Sequence, residues 1–242
     1  MKIIIWNCKM KFRQKFHEVF NLKPDILVIP ESENIERLDL NNKDYPELSD
    51  SKWIGDNQSK GLSIFTFNDF KIDLFENYSN NYKYILPVTV SRKNESYRVI
   101  GVWTKKIEEK KKGHNNYIRQ VYLSLIEYES FLNYENIIVC GDFNSNLFWK
   151  RSGIDNNHQM VLDQLDDKSI LSSYHHFFNE EQGKENKPTY YHYHHQDKPF
   201  HIDFCFLSNK LIKKLNKVDI GKFEDWMHLS DHVPMTIEIS DN

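Results

Sequence analysis

Apolar residues fall along this chain in short, dense runs rich in Ile, Val, Phe and Tyr. The runs at 2–6, 26–30, 62–67, 70–75, 84–90, 97–104, 137–140, 202–207 and 233–239 have the length and β-branched content of strands. A helical period appears in three other stretches. Phe12, Phe16, Val19 and Phe20 predict a helix over 12–21. Ile118, Val121, Tyr122, Leu125, Ile126 and Leu132 predict one over 116–132, and Val161, Leu162 and Leu165 a shorter one over 158–167. Residues 31–60, 105–115 and 143–157 read as long polar loops, where function tends to sit. Many strands with interspersed helices predict an α/β or α+β sandwich. With no internal repeat and no Pro/Gly/Ser linker, residues 1–242 read as one domain.

Composition narrows the classes. At 242 residues one core can be well covered, and 14% aromatics excludes a flexible, disordered chain. No apolar run approaches the roughly 18 residues of a membrane span. Ile3-Ile4-Ile5 is too short for a signal-peptide core, so no secretion is expected. Three cysteines, Cys8, Cys140 and Cys205, argue against a disulfide framework and for a reducing cytoplasm. The net charge of −3 excludes coating nucleic acid by bulk positive charge. An enzyme of nucleic acid would need a local patch and a metal.

Polar residues mark the strand ends. The first strand ends in Asn7, the second in Glu31, and Ile137–Cys140 runs through Gly141 into Asp142-Phe143-Asn144. Later the order reverses: Asp203 opens one apolar run and Asp231-His232 another. If these later strands run antiparallel to the earlier ones, all the groups meet at one edge. Singly, each is a routine strand-end or turn residue. Together, four carboxylates, two carboxamides and an imidazole imply a divalent cation that neutralises them.

In this order the set resembles the endonuclease/exonuclease/phosphatase superfamily, which includes exonuclease III, abasic-site endonucleases, deoxyribonuclease I and inositol polyphosphate 5-phosphatases. Gly141-Asp142-Phe143-Asn144, His201-Ile202-Asp203 and Ser230-Asp231-His232-Val233-Pro234 carry the likeness, which runs nearly end to end. It implies a four-layer α/β/β/α sandwich, two mixed β-sheets face to face with helices outside. It also implies Mg²⁺-dependent hydrolysis of phosphate esters, with Mn²⁺ able to substitute. On this resemblance Glu31, Asn7 and Asp231 are the metal-side residues. Asp142 activates or orients the water, Asn144 stabilises phosphate charge, and Asp203 orients His232. Tyr117, before a predicted helix, matches a phosphate-contacting tyrosine. Lys9 departs from the abasic-site endonucleases, which carry an aspartate there. The stretch from Gly141 to His158, with Lys198–Asp203, looks most like a generic bacterial branch.

Other features are weaker. Tyr190, His192 and His194 alternate as on one strand face, which suits an aromatic wall better than a zinc site. Lys105–Lys112 reads as a solvated loop, with phosphate-backbone contact as the alternative. His201 shares a face with Asp203 if both lie on one strand. With Asn146 and His158, it reads as substrate-binding. The sequence thus points to a nuclease on DNA or RNA. A phosphatase of a small metabolite or lipid headgroup is the alternative, and a non-catalytic nucleic-acid-binding module a distant third. Oligomeric state is not written in the pattern.

Overall fold

The computed structural model describes residues 1–38, 47–105, 117–149 and 158–240. The chain forms β1 (Lys2–Ile5), β2 (Ile26–Ser32), β3 (Leu48–Asn57) and β4 (Lys60–Phe67). It continues through β5 (Lys71–Leu74), β6 (Ile85–Arg92), β7 (Glu95–Trp103), β8 (Ile137–Asp142) and β9 (Ile170–Ser172). A short pair, β10 (Tyr190–Tyr191) and β11 (Pro199–Phe200), precedes β12 (Asp203–Ser208), β13 (Leu215–Ile220) and β14 (Met235–Ile239). Two six-stranded sheets result, in the orders β13-β14-β1-β2-β4-β3 and β5-β6-β7-β8-β12-β9.

The side-chain alternation of strands explains the layers. Ile3, Ile5, Val28 and Ile64 of the first sheet face Val88, Val99, Ile138, Cys140 and Leu207 of the second in a central core. Ile4, Trp6, Leu27 and Phe65 point the other way, onto Phe12 and onto Phe16, Val19 and Phe20 of α1 (Phe16–Phe20). On the far side, Ile100, Val139 and Phe206 meet Val121 and Leu125 of α2 (Ile118–Glu127) and Phe131 of α3 (Glu129–Leu132). Val161 and Leu165 of α4 (His158–Asp167) complete that layer. Both faces of each central strand are buried, hence continuous apolar runs rather than alternation. This is the expected α/β/β/α sandwich.

Several elements differ from expectation. The helix predicted over 12–21 breaks at Lys15 into a 3₁₀ turn and α1, and the one over 116–132 divides at Tyr128. The expected loop 31–60 contains the long strand β3, half-buried and polar, which its composition hid. The short strands β9 and β13 also lay outside the predicted set. Tyr190–His194 is not one strand: after Tyr191 the chain turns, with Tyr193 and His194 at φ 55° and 60°. Nor do His201 and Asp203 share a strand, since β12 begins at Asp203. Lys110–Lys112 lies outside the described residues. Among the described residues, no helix is long and apolar enough to cross a membrane.

Candidate active site

Strand direction gathers the polar ends. β1 and β2 run parallel, so Asn7 and Glu31 leave the same edge. β14 runs antiparallel to β1, which brings Asp231 and His232, just before it, to that edge. In the other sheet β12 pairs antiparallel with β8, with Asp203 directly opposite Asp142. The two sheets meet at these ends: Asn7 Nδ2 donates to Asp142 Oδ2 at 2.8 Å and lies 3.5 Å from Glu31 Oε1.

Local backbone chemistry aims each group. Glu31 sits at an irregularity between Pro30 and Ser32, with φ 63°. Such a bulge turns a side chain out of the pleat, and a non-glycine residue there carries strain of the kind found at functional sites. Gly141 has φ 144°, and a Cβ on it would lie 1.9 Å from the Val102 carbonyl oxygen. Only glycine lets β8 run this close to β7 and then turn. Asn144 follows at φ 44°, a region asparagine tolerates. Its backbone N–H donates to Asp142 Oδ1 at 2.8 Å and its Nδ2 to Asp142 Oδ2 at 2.9 Å.

A second pair stands beside the first. His232 Nδ1 lies 2.9 Å from Asp203 Oδ2, both buried. Ser230 fixes the approach, its Oγ donating to the Asn7 carbonyl and accepting from the His232 N–H. Tyr190 packs on the imidazole at a centroid distance of 4.7 Å and on Phe200 behind it. Burial opposes a charged imidazole, but the Asp203 carboxylate overrides it and raises His232 to about 9. Burial, helped by Asp203, also raises Asp142, to about 7. Two neighbouring groups are thus pushed toward opposite tasks: a carboxylate that takes a proton near neutrality and an imidazolium that keeps one.

Glu31 and Asp231 lie farther out, each facing a lysine. Lys60 Nζ is 2.7 Å from Glu31, and Lys9 Nζ is 2.9 Å from Asp231 and 2.8 Å from His194 Nε2. Where the abasic-site endonucleases have an aspartate, this chain therefore places a cation beside Asp231. Oxygen donors on Glu31, Asn7 and Asp231 suit a hard divalent ion. Ligand atoms of Asp142, Asp203 and His232 also lie within 4.8 Å of one another. Asp203 Oδ1 is buried with no hydrogen-bond partner among the described residues, an acceptor suited to an ion or a substrate proton.

Four predicted residues remain. The Tyr117 backbone N–H reaches the Lys105 carbonyl, just past the strand beside Asp142, at φ 46°. Asn146 is buried, donating to the His201 carbonyl and to Glu185. His201 is buried too, with Nδ1 on the Lys187 carbonyl and its ring against Tyr174. His158 is packed between Phe143 and Phe204 behind the sheet. Asn146, His201 and His158 lie with His175, bonded to Glu185 at 3.0 Å, in one buried polar cluster. The pairing with Glu185 and His175 was not foreseen, because nothing in the spacing of 146, 175, 185 and 201 links them.

Burial drives the His158 imidazole down to about 4. Because its unfolded value is near 6.5, the unfolded chain takes up the proton first as pH falls. His158 therefore costs stability progressively from about pH 6.5 to 4, by about 3 kcal/mol in total. Chemical denaturation of wild type and His158→Phe at pH 7 and pH 4.5 should show the wild type losing more stability on acidification. An equal acid loss in both would contradict this.

Comparison with solved structures decides the fold. The chain matches a 3′ phosphatase from Neisseria, NExo, bound to a product DNA hairpin, at a TM-score of 0.73 and 18% identity, covering 99% of both chains. It matches the Xenopus laevis APE2 catalytic domain at 0.72 and 17%, over 99% of this chain and 91% of that one. An AP endonuclease from Archaeoglobus fulgidus matches at 0.67 and 14%, over the full length of both. This is the endonuclease/exonuclease/phosphatase fold. No family model and no curated protein matches the sequence. Within this fold the two sheets contribute jointly to one site, Asn7, Glu31 and His232 from the first and Asp142 and Asp203 from the second.

Proposed function

We propose that the chain is a divalent-metal-dependent hydrolase of phosphate esters in nucleic acid. One observation carries the reading: Asn7 joins Glu31 to Asp142 while His232 pairs with Asp203 across the same edge. The fold it shares with a protein named as a 3′ phosphatase bound to a product DNA hairpin, and with proteins named as AP endonucleases, supports a DNA substrate.

Glu31, with Asn7 and Asp231, would hold Mg²⁺, with Mn²⁺ able to replace it. The bound ion would supply charge neutralisation at the phosphoryl oxygens. Asp142, held by Asn7 and by two donors of Asn144, orients the attacking water and accepts its proton. Protonated His232, oriented by Asp203, donates to a non-bridging oxygen as charge builds. The second nitrogen of Asn144 is not free for this, since Nδ2 also donates to the Thr104 carbonyl. Its contact with phosphate requires that bond to yield.

Ionised Asp142 and protonated His232 coexist between about pH 7 and about pH 9. Turnover should therefore follow a bell, rising with Asp142 ionisation and falling as His232 loses its proton. A bound cation favours the deprotonated form of both groups, so it moves both limbs toward lower pH. His232→Gln should abolish the alkaline limb in a kcat–pH profile. An alkaline limb of unchanged position in that variant would reject the His232 role.

A further inference from the structure

One cavity, of about 350 Å³, lies beside the catalytic edge, between the tip of the β3–β4 hairpin and residues 78–84. Trp53, Tyr78 and Tyr84 supply aromatic walls, and Asp56, Asn80 and Lys83 polar ones. This volume is at the lower end for ligand pockets and suits one nucleoside-sized group rather than a duplex.

Short contacts tie the cavity to the Glu31 side of the site. Trp53 Nε1 donates at 3.3 Å to the carbonyl of Ser32, the residue after Glu31. Tyr84 packs on Trp103 at a centroid distance of 4.5 Å. Lys60, paired with Glu31, lies over the same Trp103 ring, and Lys105 Nζ reaches the Tyr84 hydroxyl at 3.1 Å. Lys83 pairs with Asp56 at 3.3 Å. Three lysines therefore stand around an aromatic cavity next to a residue of the proposed metal site.

The hairpin is built around the indole. Gly55 and Gly61 are cross-strand partners. A Cβ on Gly55 would fall 2.2 Å from the Trp53 ring, and one on Gly61 2.5 Å from it. Both positions must be glycine for the ring to lie against the hairpin backbone as it does. With its N–H already bonded, the indole has only its π surface to offer a ligand.

We propose that this cavity is a subsite for one nucleobase of the substrate strand, with Trp53 as its stacking surface. With Lys60 and Lys83 paired to Glu31 and Asp56, Lys105, bonded to the neutral Tyr84 hydroxyl, supplies the charge for an adjoining phosphate. The inference rests on the nucleic-acid reading above. Stacking on an aromatic ring is tolerant of sequence, so the subsite positions the strand without selecting a base.

The test uses wild type, Trp53→Leu and Trp53→Phe. Binding is followed with Ca²⁺ in place of Mg²⁺, using oligonucleotides that carry one 2-aminopurine at successive positions. Hydrolysis of methyl p-nitrophenyl phosphate, which has no base, runs in parallel. Wild type should quench 2-aminopurine at one strand position, and Trp53→Leu should lose that quench. Trp53→Leu should also lose about ten- to a hundredfold in kcat/KM on an oligonucleotide, while Trp53→Phe keeps most of it. On the small ester Trp53→Leu and Trp53→Phe, which both lose the indole N–H bond to Ser32, should fall equally and by far less than Trp53→Leu falls on the oligonucleotide. Unchanged quenching and oligonucleotide kinetics in Trp53→Leu would overturn the subsite, as would an equal loss on ester and oligonucleotide. A wild type that hydrolyses the ester but neither binds nor cleaves any oligonucleotide would overturn the nucleic-acid reading, and the subsite with it.

Discussion

Asp142→Asn should lower turnover on the best oligonucleotide by about 10²–10⁴, the scale for losing a positioned proton acceptor. The substitution keeps the shape of the group but removes its charge and basicity. Asp142 already accepts from Asn7 Nδ2, Asn144 Nδ2 and the Asn144 N–H, so its place is fixed before substrate arrives. Substrate affinity should change far less than turnover. Stability offers an internal control. Burial raises Asp142, so its folded-state value lies above its unfolded one, and ionisation costs stability as pH rises from about 4 toward about 7. Asp142→Asn removes that cost but sets an NH2 group against the Asn144 N–H, so at pH 8 the two effects offset and the inactive variant should melt close to wild type. Near-wild-type turnover would reject the role, and a collapsed melting temperature would show that the loss reflects unfolding.

Glu31→Gln should weaken Mg²⁺ or Mn²⁺ binding by about 10²-fold or more, measured by calorimetry. Losing even an outer partner of a metal ligand typically costs 10–100-fold, and a hard cation needs the charge this change removes. The backbone should tolerate it, because the bulge that aims Glu31 is fixed by the pairing of Pro30 with Leu62 and Ser32 with Gly61. Glutamine also leaves Lys60 without its ion-pair partner, which adds to the positive charge repelling a cation. Unchanged metal affinity would move the ion to Asp142, Asp203 and His232.

The sandwich was legible in the sequence because its central strands are buried on both faces. Continuous runs such as Ile3–Trp6 and Ile137–Cys140 have one physical explanation, and the register then follows from which residues face each sheet. Edge strand β3 was not legible, since none of its residues is fully buried and its composition reads as loop. The site divides the same way. Asn7, Glu31, Asp142, Asp203 and His232 stand at the ends of strong strands, so topology alone brings them together. Asn146, His158 and His201 stand at no strand end that the apolar runs mark, and only the folded backbone shows them turned inward. The lysines on Glu31 and Asp231 were illegible for another reason. Long flexible side chains reach partners that sequence spacing does not specify, 29 positions away for Lys60 and 222 for Lys9.

The central claim is that this edge hydrolyses phosphate esters of nucleic acid with a divalent metal. It is tested most directly by incubating end-labelled single-stranded and duplex DNA and RNA with wild type and Asp142→Asn, each with Mg²⁺ and with EDTA. Wild type should release product with Mg²⁺ and none with EDTA, and Asp142→Asn should release almost none in either. Product that persists in EDTA, or appears equally with Asp142→Asn, would contradict the account, as would intact substrates throughout.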